Sequence, residues 1–158
     1  MSENSSRNYP IGNGFNKSFR RNSTFVDIGV TKTQRTRATA AQVNAGLVLL
    51  PAIPGVKWRI VDAAMIAIGG AAATATSVDL LGTKTAAASR PLVAAVAALT
   101  QSTLARMGAT NMVILANGAS HTAHDANTAI SVVKQSGGSN LATATHIDVI
   151  LTYVADQG

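Results

Sequence analysis

From residue 144 to 154 (ATHIDVILTYV) side-chain character follows the two-residue period of an extended chain. Thr145, Ile147, Val149, Leu151 and Tyr153 share one face, and His146, Asp148, Ile150, Thr152 and Val154 share the other. Short runs rich in β-branched and aliphatic residues recur at 46–51 (GLVLLP), 57–68 (KWRIVDAAMIAI), 75–81 (ATSVDLL), 102–108 (STLARMG), 110–116 (TNMVILA) and 128–134 (TAISVVK). Each is bounded by Gly, Pro, Asn or small polar residues, the punctuation expected around strands. Residues 24–31 (TFVDIGVT) add a further candidate strand. In 91–99 (PLVAAVAAL) Leu92, Val96 and Leu99 fit a helical face, which predicts one short helix there. Gly69-Gly70, Asn117-Gly118 and Gly137-Gly138 supply the backbone freedom that tight turns need. The spacing of strands and turns predicts an all-β sandwich or barrel.

One pattern occurs twice. Residues 69–81 read GGAAATATSVDLL and residues 137–151 read GGSNLATATHIDVIL, so that Thr74/Thr143, Thr76/Thr145 and Asp79/Asp148 are each separated by 69 positions. Thr and Ala are poor at covalent or metal chemistry but pack closely, and Thr adds β propensity. Paired carboxylates acting on one bond must come within about 5–10 Å of each other, and equivalent positions in two halves of a sandwich need not meet. The repeat is therefore read as architecture, with each Asp facing solvent or a neighbouring molecule. A jelly roll, built from two Greek keys, would use one such unit in each half.

Charge divides the chain. Residues 1–40 hold Arg7, Lys17, Arg20, Arg21, Lys32, Arg35 and Arg37 against Glu3 and Asp27, a net +5, whereas residues 41–158 carry only +1. Aromatics are skewed the same way: Tyr9, Phe15, Phe19 and Phe25 precede residue 26, with only Trp58 and Tyr153 beyond it. A freely solvated tail is poor in aromatics. Residues 1–40 are accordingly expected to be a basic, aromatic-studded N-terminal arm that buries its rings on another surface or, alternatively, folds back on its own body, and residues 41–158 a β-sandwich body. With no cysteine, disulfides and thiolate metal sites are excluded. The start of the chain lacks the pattern of a signal peptide, and its apolar runs are too short to span a bilayer. A soluble protein with no membrane partner is expected.

Catalytic chemistry is sparse. His121, His124 and Asp125 (HTAHD) are residue types that bind zinc, but nothing predicts a helix to align them, and they are read as a solvated loop tip. Ser120 beside His121 lacks the G-x-S-x-G context of a nucleophile elbow. No P-loop, dinucleotide fingerprint or calcium loop occurs. The expectation is a non-enzyme without cofactor, metal or catalytic residues.

VKWRIVDAAMIAIGG, ATATSVDLL, ALTQSTLAR and LATATHIDVILTYV together resemble the small head decoration (cement) proteins of tailed bacteriophages, over roughly residues 55–155. The resemblance implies a jelly-roll-like sandwich on the outer surface of the capsid, associated as a homotrimer and bound to the major capsid protein. On that reading the arm engages the shell through Tyr9, Phe15, Phe19 and Phe25, with Arg20, Arg21, Arg35 and Arg37 pairing with acidic capsid groups. The alternative is a coat protein or other nucleic-acid binder that lays the basic arm on phosphates. Four spaced aromatics favour the protein surface, so nucleic acid is not the expected partner.

Overall fold

The computed structural model describes residues 26–107 and 123–158. Tyr9, Phe15, Phe19, Arg20, Arg21, Phe25, His121 and the candidate strand at 110–116 lie outside the described residues. The described chain is mostly β and forms an all-β sandwich of two antiparallel sheets.

Among the described residues the elements are β1 (Thr31–Thr39), helix α1 (Ala40–Ala45), β2 (Leu47–Leu50), β3 (Val56–Ile68), β4 (Ser77–Lys84), β5 (Ala87–Ala95), a 3-10 turn (Val96–Ala98), β6 (Ala105–Arg106), β7 (Ile130–Lys134) and β8 (His146–Gln157). Sheet A has the order β1-β8-β3-β6 and sheet B the order β2-β7-β4-β5. Antiparallel ladders join β1 to β8, β2 to β7, β3 to β6 and β4 to β5. Two further ladders, β3 with β8 and β4 with β7, assemble these pairs into sheets.

The core is the space between the sheets. Ile60, Met65, Ile147 and Leu151 project from sheet A; Val78, Leu80, Leu92, Ile130 and Val132 meet them from sheet B. Of the two faces of β8, the one that carries Ile147, Val149 and Leu151 enters the core, all three being buried. Trp58 is also buried: its indole N–H donates to the Pro51 carbonyl at 2.9 Å, and its ring meets Tyr153 edge-on at 5.6 Å between centroids. Burying an indole this way leaves no donor unpaired.

Several local expectations are corrected. The predicted arm extends to residue 40, but Thr31–Thr39 is a full edge strand paired with β8 from Thr31↔Val154 to Thr39↔His146. Of the candidate strand at 24–31, residues 24 and 25 lie outside the described residues; between them and Thr31, which opens β1, Ile28 makes an isolated bridge to Ala155. The predicted helix at 91–99 is instead the second half of β5 followed by the 3-10 turn. Its apolar spacing is met in extended form, with Leu92 and Ala94 turned into the core. Pro91 is tolerated because β5 is an edge strand. The one described α-helix is α1, begun by a capping box in which Thr39 and Gln42 satisfy each other's backbone N–H, and ended at Gly46 with φ of 90°.

The repeated segments lie in two of the links that cross between the sheets. Residues 69–76 carry the chain from β3 in sheet A to β4 in sheet B, and residues 135–145 return it from β7 in sheet B to β8 in sheet A. They lie against each other: Thr145 N–H donates to Ile68 O at 2.9 Å, Ala142 N–H to Ala73 O at 3.3 Å, and the Thr74 hydroxyl to Asn140 O. A Cβ on Gly70 would stand 2.9 Å from the Thr143 carbonyl oxygen, and one on Gly69 would collide with the Thr145 side chain. The architectural reading of the repeat thus has a physical content: glycine and small residues let two backbones pass in contact.

Candidate interaction face on sheet A

Alternation along β1 turns Arg35 and Arg37 outward, away from the core. Register places Arg37 opposite Asp148 on β8 and Arg35 opposite Ile150. Both guanidinium groups close on the same carboxylate. Arg37 Nε donates to Asp148 Oδ1 at 2.7 Å and Arg37 Nη2 to Oδ2 at 3.0 Å, while Arg35 donates to Oδ2 from Nε at 3.0 Å and also from Nη2. The Asp148 side chain is only 1 % exposed, whereas Arg35 and Arg37 remain 63 % and 53 % exposed. Asp148 was expected to face solvent or a neighbouring molecule; it lies beneath its own chain's arginines.

The electrostatics follow from this stacking. The hydrogen bonds from Arg37, reinforced by those from Arg35, outweigh the cost of burial and hold the Asp148 carboxyl down at about 2. Asp148 raises the Arg37 guanidinium in return, chiefly through the same hydrogen bonds. A carboxylate on the inner strand and two cations on the outer one bind an edge strand to its sheet. Asp79, the equivalent residue of the repeat, has a related arrangement on sheet B. It is buried on β4, accepts from Ser77 Oγ at 2.6 Å, and meets Nε of Arg90, on edge strand β5, at 2.9 Å. The two carboxylates stand on different sheets, each committed to its own arginine partner, so they do not form an acid–base pair.

Two further pairs share the outer face of sheet A. Arg106 on β6 holds Asp62 of β3 at 2.6 Å, and Arg59 on β3 holds Asp156 of β8 at 2.5 Å. With Lys57, whose register partner is also Asp156, the face presents five cations to three carboxylates. Between the pairs lie the half-buried Ile66, Ile150 and Val154 and the exposed Val61. The described chain reaches this sheet at Val26–Ile28, where Asp27 pairs with Lys32 at 2.5 Å and Gly29 N–H donates to Ala155 O at 2.8 Å.

Sequence reasoning selected Arg35 and Arg37 by charge density but missed Asp148 as their partner, along with Arg59, Asp62, Arg106 and Asp156. Their signal is opposite charge on facing strands, which emerges only once the register is known. The HTAHD reading is also revised. His124 is buried rather than solvated, and Asp125 accepts from the backbone N–H groups of Thr85 and Ala86 at 2.8 and 2.9 Å. Among the described residues no group of three or more His, Cys, Asp or Glu is arranged to hold a metal ion. Chemically, the sheet A face offers half-exposed guanidinium groups around an aliphatic centre, which suits docking on an acidic protein surface. No protein-family model matches this chain, and no curated protein matches it.

Proposed function

We propose that this chain is a structural virion protein that binds the outside of an icosahedral phage head and stabilises it by bridging capsomers. The single observation that carries the reading is the strand order. Pairs β1–β8, β2–β7, β3–β6 and β4–β5 are those of a four-rung antiparallel ribbon, and folding that ribbon over places β3 beside β8 and β4 beside β7. We read this order as the wrapping of a jelly roll, a fold used in viral capsid domains, and on that reading it supports the family resemblance of the sequence. In this reading the outer face of sheet A and the basic N-terminal segment meet the major capsid protein, with three copies of the chain associating on the shell. The aliphatic centre supplies burial; the guanidinium rim supplies orientation.

Co-sedimentation of the full chain with phage heads stripped of it tests the proposal. Wild type should pellet with heads, and the Arg59→Glu/Arg106→Glu variant should bind at least tenfold more weakly while remaining folded. Wild type that stays in the supernatant at micromolar concentration would overturn the reading. If duplex DNA shifts the protein instead, with affinity falling steeply as salt rises, the nucleic-acid alternative replaces it.

A further inference from the structure

His124 is 3 % exposed and packs where β4 leaves room for it: a Cβ on Gly82 would stand 3.0 Å from Nε2 and closer still to Cδ2. Its backbone N–H donates to the Trp58 carbonyl of β3 at 2.7 Å, and its ring Nδ1 lies 3.1 Å from the same oxygen. A carbonyl only accepts, so Nδ1 carries the proton, and in the neutral ring Nε2 is left as a bare acceptor. That buried Nε2 has no hydrogen-bond partner. A second proton on the ring would have to sit there, without an acceptor and facing Gly82 and Ile130.

The residues around His124 tie the two sheets together at one end of the sandwich. Asp125 N–H donates to Thr83 O at 2.9 Å, and its carboxylate caps the Thr85-Ala86 turn of the β4–β5 hairpin. Asn127 N–H donates to Val56 O at 3.2 Å, and its side chain accepts from Gly55 N–H at 2.9 Å. Residues 123–127 thus hold β3 of sheet A and the β4–β5 hairpin of sheet B at once.

We propose that His124 is an acid-sensitive latch, which keeps residues 123–127 docked across both sheets while its ring is neutral and releases them when the ring takes up a second proton. The charged groups acting on it are Lys84 on β4, which opposes the imidazolium, and the adjacent Asp125, which favours it; Trp58 on β3 and Ile130 on β7 bring no charge. Burial dominates, and it holds the ring below the ordinary histidine range. The latch concerns the body alone and stands apart from shell binding.

Amide exchange of the full chain, followed by NMR at about pH 7.5 and about pH 5, tests the latch across the range in which histidine titrates. After correction for the intrinsic pH dependence of exchange, protection at Thr85, Ala86, Asp125 and Asn127 should fall at least tenfold at the lower pH. Core amides of the β3–β8 ladder should keep theirs. In His124→Asn the side-chain amide reaches towards the Trp58 carbonyl without titrating, and the acid-induced loss should vanish. Equal protection of wild type at both pH values, or the same loss in His124→Asn, overturns the proposal. Nitrogen-15 spectra of the wild-type imidazole keep the test decisive if the variant does not fold. The Nδ1–H tautomer at the higher pH, with protonation and loss of protection coinciding, supports the latch. An Nε2–H tautomer, or an imidazolium that forms while the segment stays protected, rejects it.

Discussion

At the scale of single residues, the Arg35–Asp148–Arg37 cluster is unequal in what each partner risks. Removing the carboxylate leaves two arginines that are already half in water and rehydrate easily. Removing both arginines leaves the carboxylate charged without the cations and hydrogen bonds that offset its desolvation. Arg35→Ala/Arg37→Ala should therefore destabilise the fold more than Asp148→Asn does at neutral pH, measured by urea denaturation. The pH dependence has a definite sign. Asp148 is held at about 2 in the folded chain against its ordinary 3.8, so its stabilisation is present above pH 4 and is lost as pH falls towards 2. The loss amounts to at most about 2 kcal/mol. Asp148→Asn should flatten the stability curve across that interval. A variant that retains the full wild-type slope between pH 4 and pH 2 would show that other carboxylates carry the effect.

Among elements, the two glycine-bearing crossover links are sensitive to added volume. Gly70 has φ of 148° and a Cβ there would press on Thr143 backbone rather than on a movable side-chain end. Gly70→Ala should cost about 1–3 kcal/mol from overpacking, with backbone strain in addition; Gly137→Ala, with nothing within 4 Å, should bear the strain of its positive φ alone. Thermal unfolding of the two variants gives the comparison, and equal losses would refute contact between the links as the reason for Gly70. The links were legible in the sequence because their Gly-Gly and Thr signals are local, and β8 was legible because one face is aliphatic and enters the core. β1 was not, since its inward positions are Lys32, Gln34, Thr36 and Ala38, and only Ala38 is fully buried. The β4–β5 hairpin was also hidden. Its turn residues Thr85 and Ala86 adopt φ of 53° and 58° without Asn or Gly, because Asp125, some 40 positions later, supplies the acceptors. Lacking a turn signal, the Ala-rich stretch after it read as helix. The candidate face failed for a related reason: Arg37 and Asp148 are 111 residues apart, and register is a tertiary property.

For the whole molecule, the proposed role rests on a division of labour between a β-sandwich body and a basic, aromatic N-terminal segment. The body's own cations on sheet A are largely matched to carboxylates, whereas residues 1–25 hold Arg7, Lys17, Arg20 and Arg21 against Glu3 alone. If that segment clamps a capsid, its affinity comes mainly from rings buried in shell pockets. Fully burying a large apolar side chain is worth about 1.5–3 kcal/mol, whereas exposed ion pairs contribute about 0–1 kcal/mol. Phe15→Ala/Phe19→Ala should then weaken head binding about tenfold or more, Arg20→Ala/Arg21→Ala should weaken it less, and binding should survive moderate salt. Phosphate binding gives the reverse order, with log affinity falling by about 0.9 per duplex contact for each unit of log salt. Deleting residues 1–25 should leave a folded, self-associating body, because the described residues already close two sheets around a common core. Equilibrium sedimentation of that deletion, alone and with stripped heads, separates the two functions. A truncated chain that binds heads as tightly as the full one would assign the clamp to sheet A alone.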